Sequence, residues 1–267
     1  MMVTKIGVLG CGWLGLPLAK RLVTEGYRVK GSVTGEMKIS KLAAGGITPF
    51  LIDLSAPDVF ELQVFLEELD VLIVTVPPKF TSADFDVISG FRWLVHHIEL
   101  QRVSRVVYVS SISVYEDRPD FPVYLEEEAS VATSGKSEKL IQLENLFLKS
   151  TKFRTGVLRL GGLLGEDRHP IRYLSGRTNV PNPAAPVNLV HQRDCIEVIL
   201  SLLEQDWFGG VLNVVSPEHP SKQDYYNSAA GKARLPRPRF SPLQSVGKKV
   251  SSEKLQRELG YKFQVEL

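Results

Sequence analysis

The stretch that decides the fold is KIGVLGCGWLGLPLAKRLVTEGYRVKGSVT, residues 5–34. A short apolar run leads into three glycines with the spacing Gly10-x-Gly12-x-x-Gly15, and a helical pattern follows. In this spacing the first glycine permits a tight turn, the second lets backbone approach a pyrophosphate, and the third lets the helix pack on the sheet. The stretch therefore predicts a strand, a turn and a helix that together bind a dinucleotide.

The start of such a helix attracts phosphate through its free N–H groups and its partial positive charge. We expect the dinucleotide to contact the whole turn, at Gly10, Cys11, Gly12, Trp13, Leu14 and Gly15. The alternative is a Rossmann-like fold whose turn has lost its ligand, because glycines also collect in ordinary turns.

The end of the second strand distinguishes the two nicotinamide dinucleotides. NAD sites usually place Asp or Glu there to bond the ribose 2′-hydroxyl, but this strand ends in Ser32-Val33-Thr34. Ser32, Thr34 and Lys38 are instead predicted donors to a 2′-phosphate, which favours NADP over NAD. Glu36, two residues later, is the alternative that would allow NAD.

Further cofactor contacts are predicted at the ends of the third and fourth strands. Asp53 and Leu54 close the third strand, beside the position that adenine takes in many such folds. The alternative for Asp53 is a cap on a helix that begins near Pro57. Val76 and Pro77 follow the fourth strand and are assigned to the cofactor as well.

Apolar strands alternate with helical patterns through the first 160 residues. Six strand patterns lie at residues 5–10, 27–33, 47–54, 70–77, 105–111 and 154–160. Helical patterns lie at residues 14–25, from Pro57 onward, at 85–100 and at 136–149. Continuous apolar strands separated by helices predict a parallel sheet covered on both faces, in the doubly wound α/β arrangement.

After residue 160 the composition changes, with segments rich in Gly, Pro and Arg. We predict a Rossmann domain over residues 1–160 and a small C-terminal substrate lobe over 161–267. Some strands of that lobe, within about 185–215, are expected to return to the Rossmann sheet.

Composition excludes several classes of protein. The chain has 267 residues with a net charge of +2, which gives no electrostatic case for nucleic acid or for an anionic membrane. Its two cysteines, Cys11 and Cys195, fit a reducing compartment, and no His, Cys or Asp cluster has the spacing of a metal site. The uncharged run at residues 6–19 lacks a signal-peptide cleavage site, so a cytoplasmic protein is expected.

Five segments carry a family resemblance. They are VVYVSSISVYED (106–117), GVLRLGGLLGEDRHP (156–170), PVNLVHQRDCIEVIL (186–200), GVLNVVSPEHPSKQDYY (210–226) and KKVSSEKLQRELGY (248–261). With the GCGWLG turn, the chain resembles the extended short-chain dehydrogenases/reductases of the NAD-dependent epimerase/dehydratase superfamily, in a branch of small bacterial members. The resemblance implies a Rossmann sheet of seven strands, a C-terminal substrate lobe, and a homodimer formed through the helices at 85–100 and 136–149.

The resemblance also implies a Ser, Tyr and Lys for catalysis, and here the chain departs from the family. Ser111 matches the family serine, but no tyrosine has a lysine four residues later. In the helix that should carry the pair, anchoring on Glu144 places Lys136 at the tyrosine position and Leu140 at the lysine position. The remaining catalytic candidates are Ser111, Lys136 and Tyr115. We expect Tyr115, at the carboxyl end of the fifth strand, to face the crevice in which ligands bind.

By the same resemblance, His169, Arg172, Asn188 and His191 line the substrate side and suit an anionic or polyhydroxylated small molecule. Each of these residues also has a structural explanation; a histidine before a helix, such as His191, is commonly a satisfied structural group.

Two candidate functions follow from the sequence. One is an NAD(P)-dependent epimerase, dehydratase or oxidoreductase on a nucleotide-sugar or another polar carbonyl or hydroxyl substrate, with nonstandard catalytic residues. The other is a non-catalytic NAD(P)-binding module with a regulatory or redox-sensing role.

Overall fold

A computed structural model describes residues 4–56, 58–78, 86–130 and 135–267. Seven of its strands form one sheet in the order β10-β7-β5-β4-β1-β2-β3. These strands are β1 (Lys5–Leu9), β2 (Arg28–Val33), β3 (Thr48–Leu51), β4 (Val71–Val74), β5 (Arg105–Ser111), β7 (Arg154–Leu160) and β10 (Gly209–Val214). The predicted doubly wound α/β fold is confirmed.

The centre of the sheet explains its continuous apolar strands. β1 lies between β2 and β4 and runs parallel to both, with Ile6 opposite Val29 on one side and Val71 on the other. Ile6, Val8 and Leu9 are all buried, although successive residues point to opposite faces of a strand. Both faces of the sheet are therefore covered at this point, as a parallel sheet requires.

The two shorter sheets have two strands each. One pairs β6 (Val123–Tyr124) with β11 (Lys249–Val250), and the other pairs β8 (Gly162–Leu164) with β9 (Leu189–His191). Of the late strands, β10 joins the seven-stranded sheet, whereas β9 pairs with β8.

The helices begin and end close to the predicted patterns, and several short ones are additional. They are α1 (Gly15–Thr24), α2 (Ile39–Ala43), α3 (Val59–Leu66), α4 (Val87–Leu100), α5 (Gly135–Leu148), α6 (Ile171–Leu174), α7 (Gln192–Glu204), α8 (Lys222–Lys232) and α9 (Glu253–Leu259). The third helix begins at Val59, because Asp58 caps it by accepting from the N–H groups of Phe60 and Glu61. Pro57, where we expected this start, lies outside the described residues.

The chain forms two compact units that alternate along the sequence. Unit 1 comprises residues 1–110, 139–158 and 202–211, and unit 2 comprises 111–138, 159–201 and 212–267. The core of unit 1 contains an aromatic cluster in which Tyr108 stacks on Phe147 and Phe91 meets both edge-on. A separate cluster in unit 2 forms around Tyr225, Tyr226 and Leu189. Nowhere in the described ranges does a helix combine the length and the apolar character needed to cross a lipid bilayer.

Candidate functional site

The glycine turn of unit 1 follows β1 directly, and two of its glycines are required by the fold itself. Gly10 has φ +99°, a backbone conformation that favours glycine. A Cβ on Gly15 would lie 2.3 Å from the carbonyl oxygen of Gly10 and 2.8 Å from Oγ1 of Thr75. Glycine at position 15 therefore lets the start of α1 come close to the end of β1.

Gly12 is different, because no described neighbouring atom would clash with a Cβ there and its φ is not positive. It is exposed, and the nearest heavy atom to a Cβ built there is the Gly10 carbonyl oxygen, at 4.0 Å. Within the described part of the chain, the N–H groups of Leu14 and Gly15 at the start of α1 have no acceptor. The turn thus presents open backbone next to two free donors, the arrangement that suits a phosphate group.

Other atoms of the turn are already engaged. Ser32 on β2 accepts the N–H of Gly10 through its hydroxyl (2.9 Å) and the N–H of Cys11 through its carbonyl (2.7 Å). The Cys11 side chain is buried, and burial raises the pKa of its thiol to about 12. Cys11 therefore offers a ligand neither its N–H nor its thiol. Trp13 is half-buried in the turn.

At the end of β2, the predicted 2′-phosphate donors separate into two groups. Ser32 is only 1% exposed and its hydroxyl is bonded to the turn, which is inconsistent with a direct contact to a phosphate. Thr34 and Lys38 are both exposed, and neither side chain has a partner within the described residues. Glu36, the residue that would favour NAD, is exposed beside them.

The four predicted cofactor contacts after β3 and β4 differ in their exposure and contacts. Asp53 is exposed and accepts from both the N–H and the hydroxyl of Ser55, so the alternative that it caps the following helix is wrong. Leu54 is buried in the apolar core of unit 1. Val76 packs against the turn, since its Cγ2 would be 2.9 Å from a Cβ on Gly10, and Pro77 beside it is exposed.

In unit 2, two of the three catalytic candidates remain accessible. Ser111, at the end of β5, is half-buried; its hydroxyl accepts the N–H of Ser113 at 3.1 Å and lies 3.1 Å from the Ser113 hydroxyl. Lys136, in the first turn of α5, is exposed and has no partner in the described residues. In unit 1, Ser110 donates to Glu144 at 2.6 Å, so Glu144 of α5 faces β5.

Tyr115 does not face an open crevice, which corrects our prediction. It is 3% exposed, and its hydroxyl donates to Oδ1 of Asn213 (2.7 Å) and accepts from the guanidinium of Arg159 (2.9 Å). The same hydroxyl lies 3.1 Å from the carbonyl oxygen of Leu125. Burial raises the pKa of the Tyr115 hydroxyl to about 12. The phenol is a structural hydrogen-bonding group here, poorly suited to general acid–base chemistry.

Two of the substrate candidates lie on one turn of unit 2. His169 accepts the N–H of Ile171 at Nδ1, and its Nε2 lies 3.1 Å from the hydroxyl of Tyr225. Burial, with a smaller effect from Arg172, lowers the pKa of His169, which favours the neutral ring. Arg172 is exposed and has no partner in the described residues.

The other two candidates lie at β9. The Asn188 side chain donates to the carbonyl of Lys248 (2.9 Å) and accepts the N–H of Val250 (2.9 Å). Both the nitrogen and the oxygen of its amide therefore form hydrogen bonds within the protein. His191 accepts the N–H of Arg193 at Nδ1, as a residue that caps α7 would. Of the four substrate candidates, Arg172 alone is fully available in the described structure.

Sequence reasoning missed two features. The first is Thr75, whose hydroxyl donates to the Gly10 carbonyl at 2.7 Å. In the sequence, the available indication was a single hydroxyl residue directly after the apolar run of β4. Arg159 is 4% exposed inside β7 and also donates to the backbone carbonyl of Glu126. A charged residue within an otherwise apolar strand pattern was the available signal. The described residues contain no group of His, Cys, Asp and Glu arranged to hold a metal ion.

Comparison with known proteins finds relatives of the whole chain. Protein YeeZ of Escherichia coli strain K12 is 31% identical over 265 residues, which cover 97% of this chain and 96% of that protein. No protein-family model matches the sequence.

Solved structures share the fold at lower identity. UDP-glucuronic acid 4-epimerase from Bacillus cereus, in complex with UDP-glucuronic acid and NAD, has a TM-score of 0.79 and 18% identity, over 98% of this chain and 95% of that one. UDP-N-acetylglucosamine 4-epimerase from Bacillus cereus has a TM-score of 0.78 and 17% identity, over 98% and 92% of the two chains. The fold that the sequence resemblance implied is therefore confirmed.

Proposed function

The chain belongs to the family of Escherichia coli Protein YeeZ, and from this premise we propose that it is a nicotinamide-dinucleotide-binding protein of the epimerase/dehydratase type. One observation carries the proposal: an exposed Gly12 lies beside the free N–H groups of Leu14 and Gly15. The oxygens of a diphosphate would accept from these two groups. The epimerase of the same fold that holds NAD supports this assignment.

We propose NADP(H) as the preferred form of the cofactor. Thr34 and Lys38 are available as a hydroxyl donor and a cation for the 2′-phosphate, and the end of β2 carries no carboxylate. Glu36 is the residue that opposes this preference, because a carboxylate near the ribose repels a phosphate and accepts from a hydroxyl.

When bound, the cofactor would supply a hydride acceptor or donor, and the protein would hold the substrate and move protons. We propose a nucleotide-sugar or another polar substrate with a carbonyl or hydroxyl group, in keeping with the UDP-glucuronic acid bound by the epimerase of the same fold. In this chain the accessible groups are the Ser111 hydroxyl, which can bond a carbonyl oxygen, the Lys136 ammonium, which can donate a proton, and the Arg172 guanidinium, which can bind an anion.

One observation favours a second candidate function, a non-catalytic module that binds NAD(P) and has a regulatory or redox-sensing role. The chain has no Tyr-x-x-x-Lys pair, and Tyr115 is buried with its hydroxyl fully bonded. A protein without this pair has lost the family's usual proton donor, whereas the glycine turn that we propose for the cofactor is present.

Binding is tested first, by calorimetric titration of the purified protein with NADPH and NADH. We expect binding of both with tighter binding of NADPH. Failure to bind either dinucleotide at millimolar concentration contradicts the proposal, and tighter binding of NADH contradicts the preference for NADP(H).

Turnover then separates the two candidate functions. The protein is incubated with NADPH or NADP⁺ and a panel of nucleotide-sugars and aldehydes. Net cofactor oxidation or reduction is followed by absorbance, and conversion of the substrate by chromatography, because epimerisation or dehydration leaves the cofactor in its starting oxidation state. Oxidation that Ser111→Ala abolishes supports the enzyme, provided that Ser228→Ala, which changes an exposed serine of α8, leaves it unchanged. Binding without oxidation of the cofactor and without conversion of any substrate of the panel supports the module.

A further inference from the structure

The glycine turn is held from both neighbouring strands of the sheet. β1 lies between β2 and β4, so the residues that end these two strands flank Gly10. From β2, the hydroxyl of Ser32 accepts the Gly10 N–H at 2.9 Å. From the end of β4, the hydroxyl of Thr75 donates to the Gly10 carbonyl oxygen at 2.7 Å.

We propose that Ser32 and Thr75 are positioning residues that hold the glycine turn in the shape a diphosphate needs. This inference rests on the proposed function and assigns Ser32 a role different from the 2′-phosphate contact that its sequence position suggests. The two hydroxyls act on opposite sides of one residue, and that residue has the positive φ on which the turn depends.

The backbone bonds around Gly10 strengthen the argument. The Ser32 carbonyl also accepts the N–H of Cys11 in the turn, and the Thr75 N–H donates to the carbonyl of Leu9, the last residue of β1. Each positioning residue therefore forms a backbone hydrogen bond next to Gly10 as well as a side-chain hydrogen bond to it. The Gly10 carbonyl additionally accepts the N–H of Gly12 at 2.7 Å. Thr75 thus fixes the same oxygen that orients Gly12, the residue at which we expect the phosphate to approach.

The hydroxyls also determine which donors remain for a ligand. Ser32 accepts the N–H groups of Gly10 and Cys11, and the Gly10 carbonyl accepts that of Gly12, which leaves the donors at Leu14 and Gly15. Without the Ser32 hydroxyl, the Gly10 N–H would lose its partner, and the turn would rearrange to find another acceptor. Such a rearrangement would move Gly12, and it would lower the affinity for phosphate more than it lowered the stability of the protein.

The test compares Ser32→Ala and Thr75→Val with two reference variants. Thr75→Ser keeps the hydroxyl and should restore what Thr75→Val loses. Thr155→Val removes a buried hydroxyl elsewhere in unit 1, one that donates to the Phe147 carbonyl at 3.0 Å, and so controls for the loss of any such bond.

The affinity for NADPH and for adenosine is measured by calorimetry, and stability by urea unfolding. We expect Ser32→Ala and Thr75→Val each to weaken NADPH binding about tenfold, with Thr75→Ser and Thr155→Val within about twofold of the wild type. Adenosine, which has no phosphate, should bind all five proteins equally. If Thr155→Val weakened NADPH binding as much as the two test variants do, the inference would be overturned, because the loss would then reflect general destabilisation.

Amide hydrogen exchange provides a readout that needs no ligand. The N–H group of Gly10 should be protected in the wild type and should exchange faster in Ser32→Ala, with the N–H groups of β1 unchanged. Unchanged exchange in that variant contradicts the positioning role. If the wild type binds neither dinucleotide, the proposed function itself fails, whereas a wild type that binds and variants that bind equally well refute the positioning role alone.

Discussion

The substitution Gly12→Ala separates the binding role of the turn from its structural role. The nearest heavy atom to the new Cβ would be 4.0 Å away, an ordinary van der Waals distance, and Gly12 is not among the glycines with positive φ. Alanine fits both the space and the backbone conformation. A glycine-to-alanine change of this kind typically raises the free energy of unfolding by about 0.4–1 kcal/mol, because it restricts the unfolded chain. We therefore expect stability to be unchanged or slightly increased.

Binding should respond in the opposite direction. The added methyl would stand where a phosphate oxygen has to approach the backbone, and it would separate the ligand from the N–H groups of Leu14 and Gly15. Losing one hydrogen bond to a charged phosphate costs about 1.5–3 kcal/mol, which corresponds to an affinity loss of roughly ten- to a hundredfold. Gly15→Ala provides the contrast, because its Cβ would lie 2.3 Å from a backbone oxygen and should lower the free energy of unfolding by about 1–3 kcal/mol or more.

The assay combines urea unfolding with calorimetric titration of NADPH for both variants. Gly231→Ala, at an open helical position of unit 2, is the matched control and should keep wild-type affinity. Wild-type affinity for NADPH in Gly12→Ala, at unchanged stability, would refute the reasoning, because it would show that no ligand approaches the backbone at Gly12.

Three further outcomes are expected. Lys38→Ala should weaken NADPH binding about tenfold and leave NADH binding near the wild type, in parallel titrations; equal losses for both cofactors would contradict a 2′-phosphate contact. Tyr115→Phe should lower the free energy of unfolding by about 1–3 kcal/mol in urea, because it leaves buried groups of Arg159 and Asn213 unpaired; a stability loss below about 0.5 kcal/mol would indicate that the network adapts. Burial raises the pKa of Glu126 above its ordinary value of about 4.5, so the folded state favours the protonated carboxyl group. The free energy of unfolding therefore falls as the pH rises from the ordinary pKa through the raised pKa of the folded state. Glu126→Gln should therefore gain stability relative to the wild type as the pH rises above about 4.5, and a difference that is independent of pH would contradict this.

Local patterns were sufficient to predict the order of the major elements. Periodicity and turn chemistry act within about ten residues, so β1, the glycine turn and α1 could be predicted from residues 5–25 alone. The short elements, such as α6, with four residues, and β8, with three, carry too little pattern to be recognised before their partners are known. The start of α3 was expected at Pro57 and lies at Val59, because the Asp58 side chain caps the helix.

The sequence by itself determined the sheet-and-helix alternation and the three glycines of the turn, since both depend on neighbours in the chain. Only the tertiary structure decided what the polar side chains do. Ser32 meets Gly10 across 22 residues, and Tyr115 meets Asn213 across 98, so no local pattern can distinguish a buried hydrogen-bonding partner from a group that faces a ligand. A hydroxyl or phenol has the same chemistry in both settings, and it is burial and the nearest acceptor, set by packing between distant segments, that determine its role.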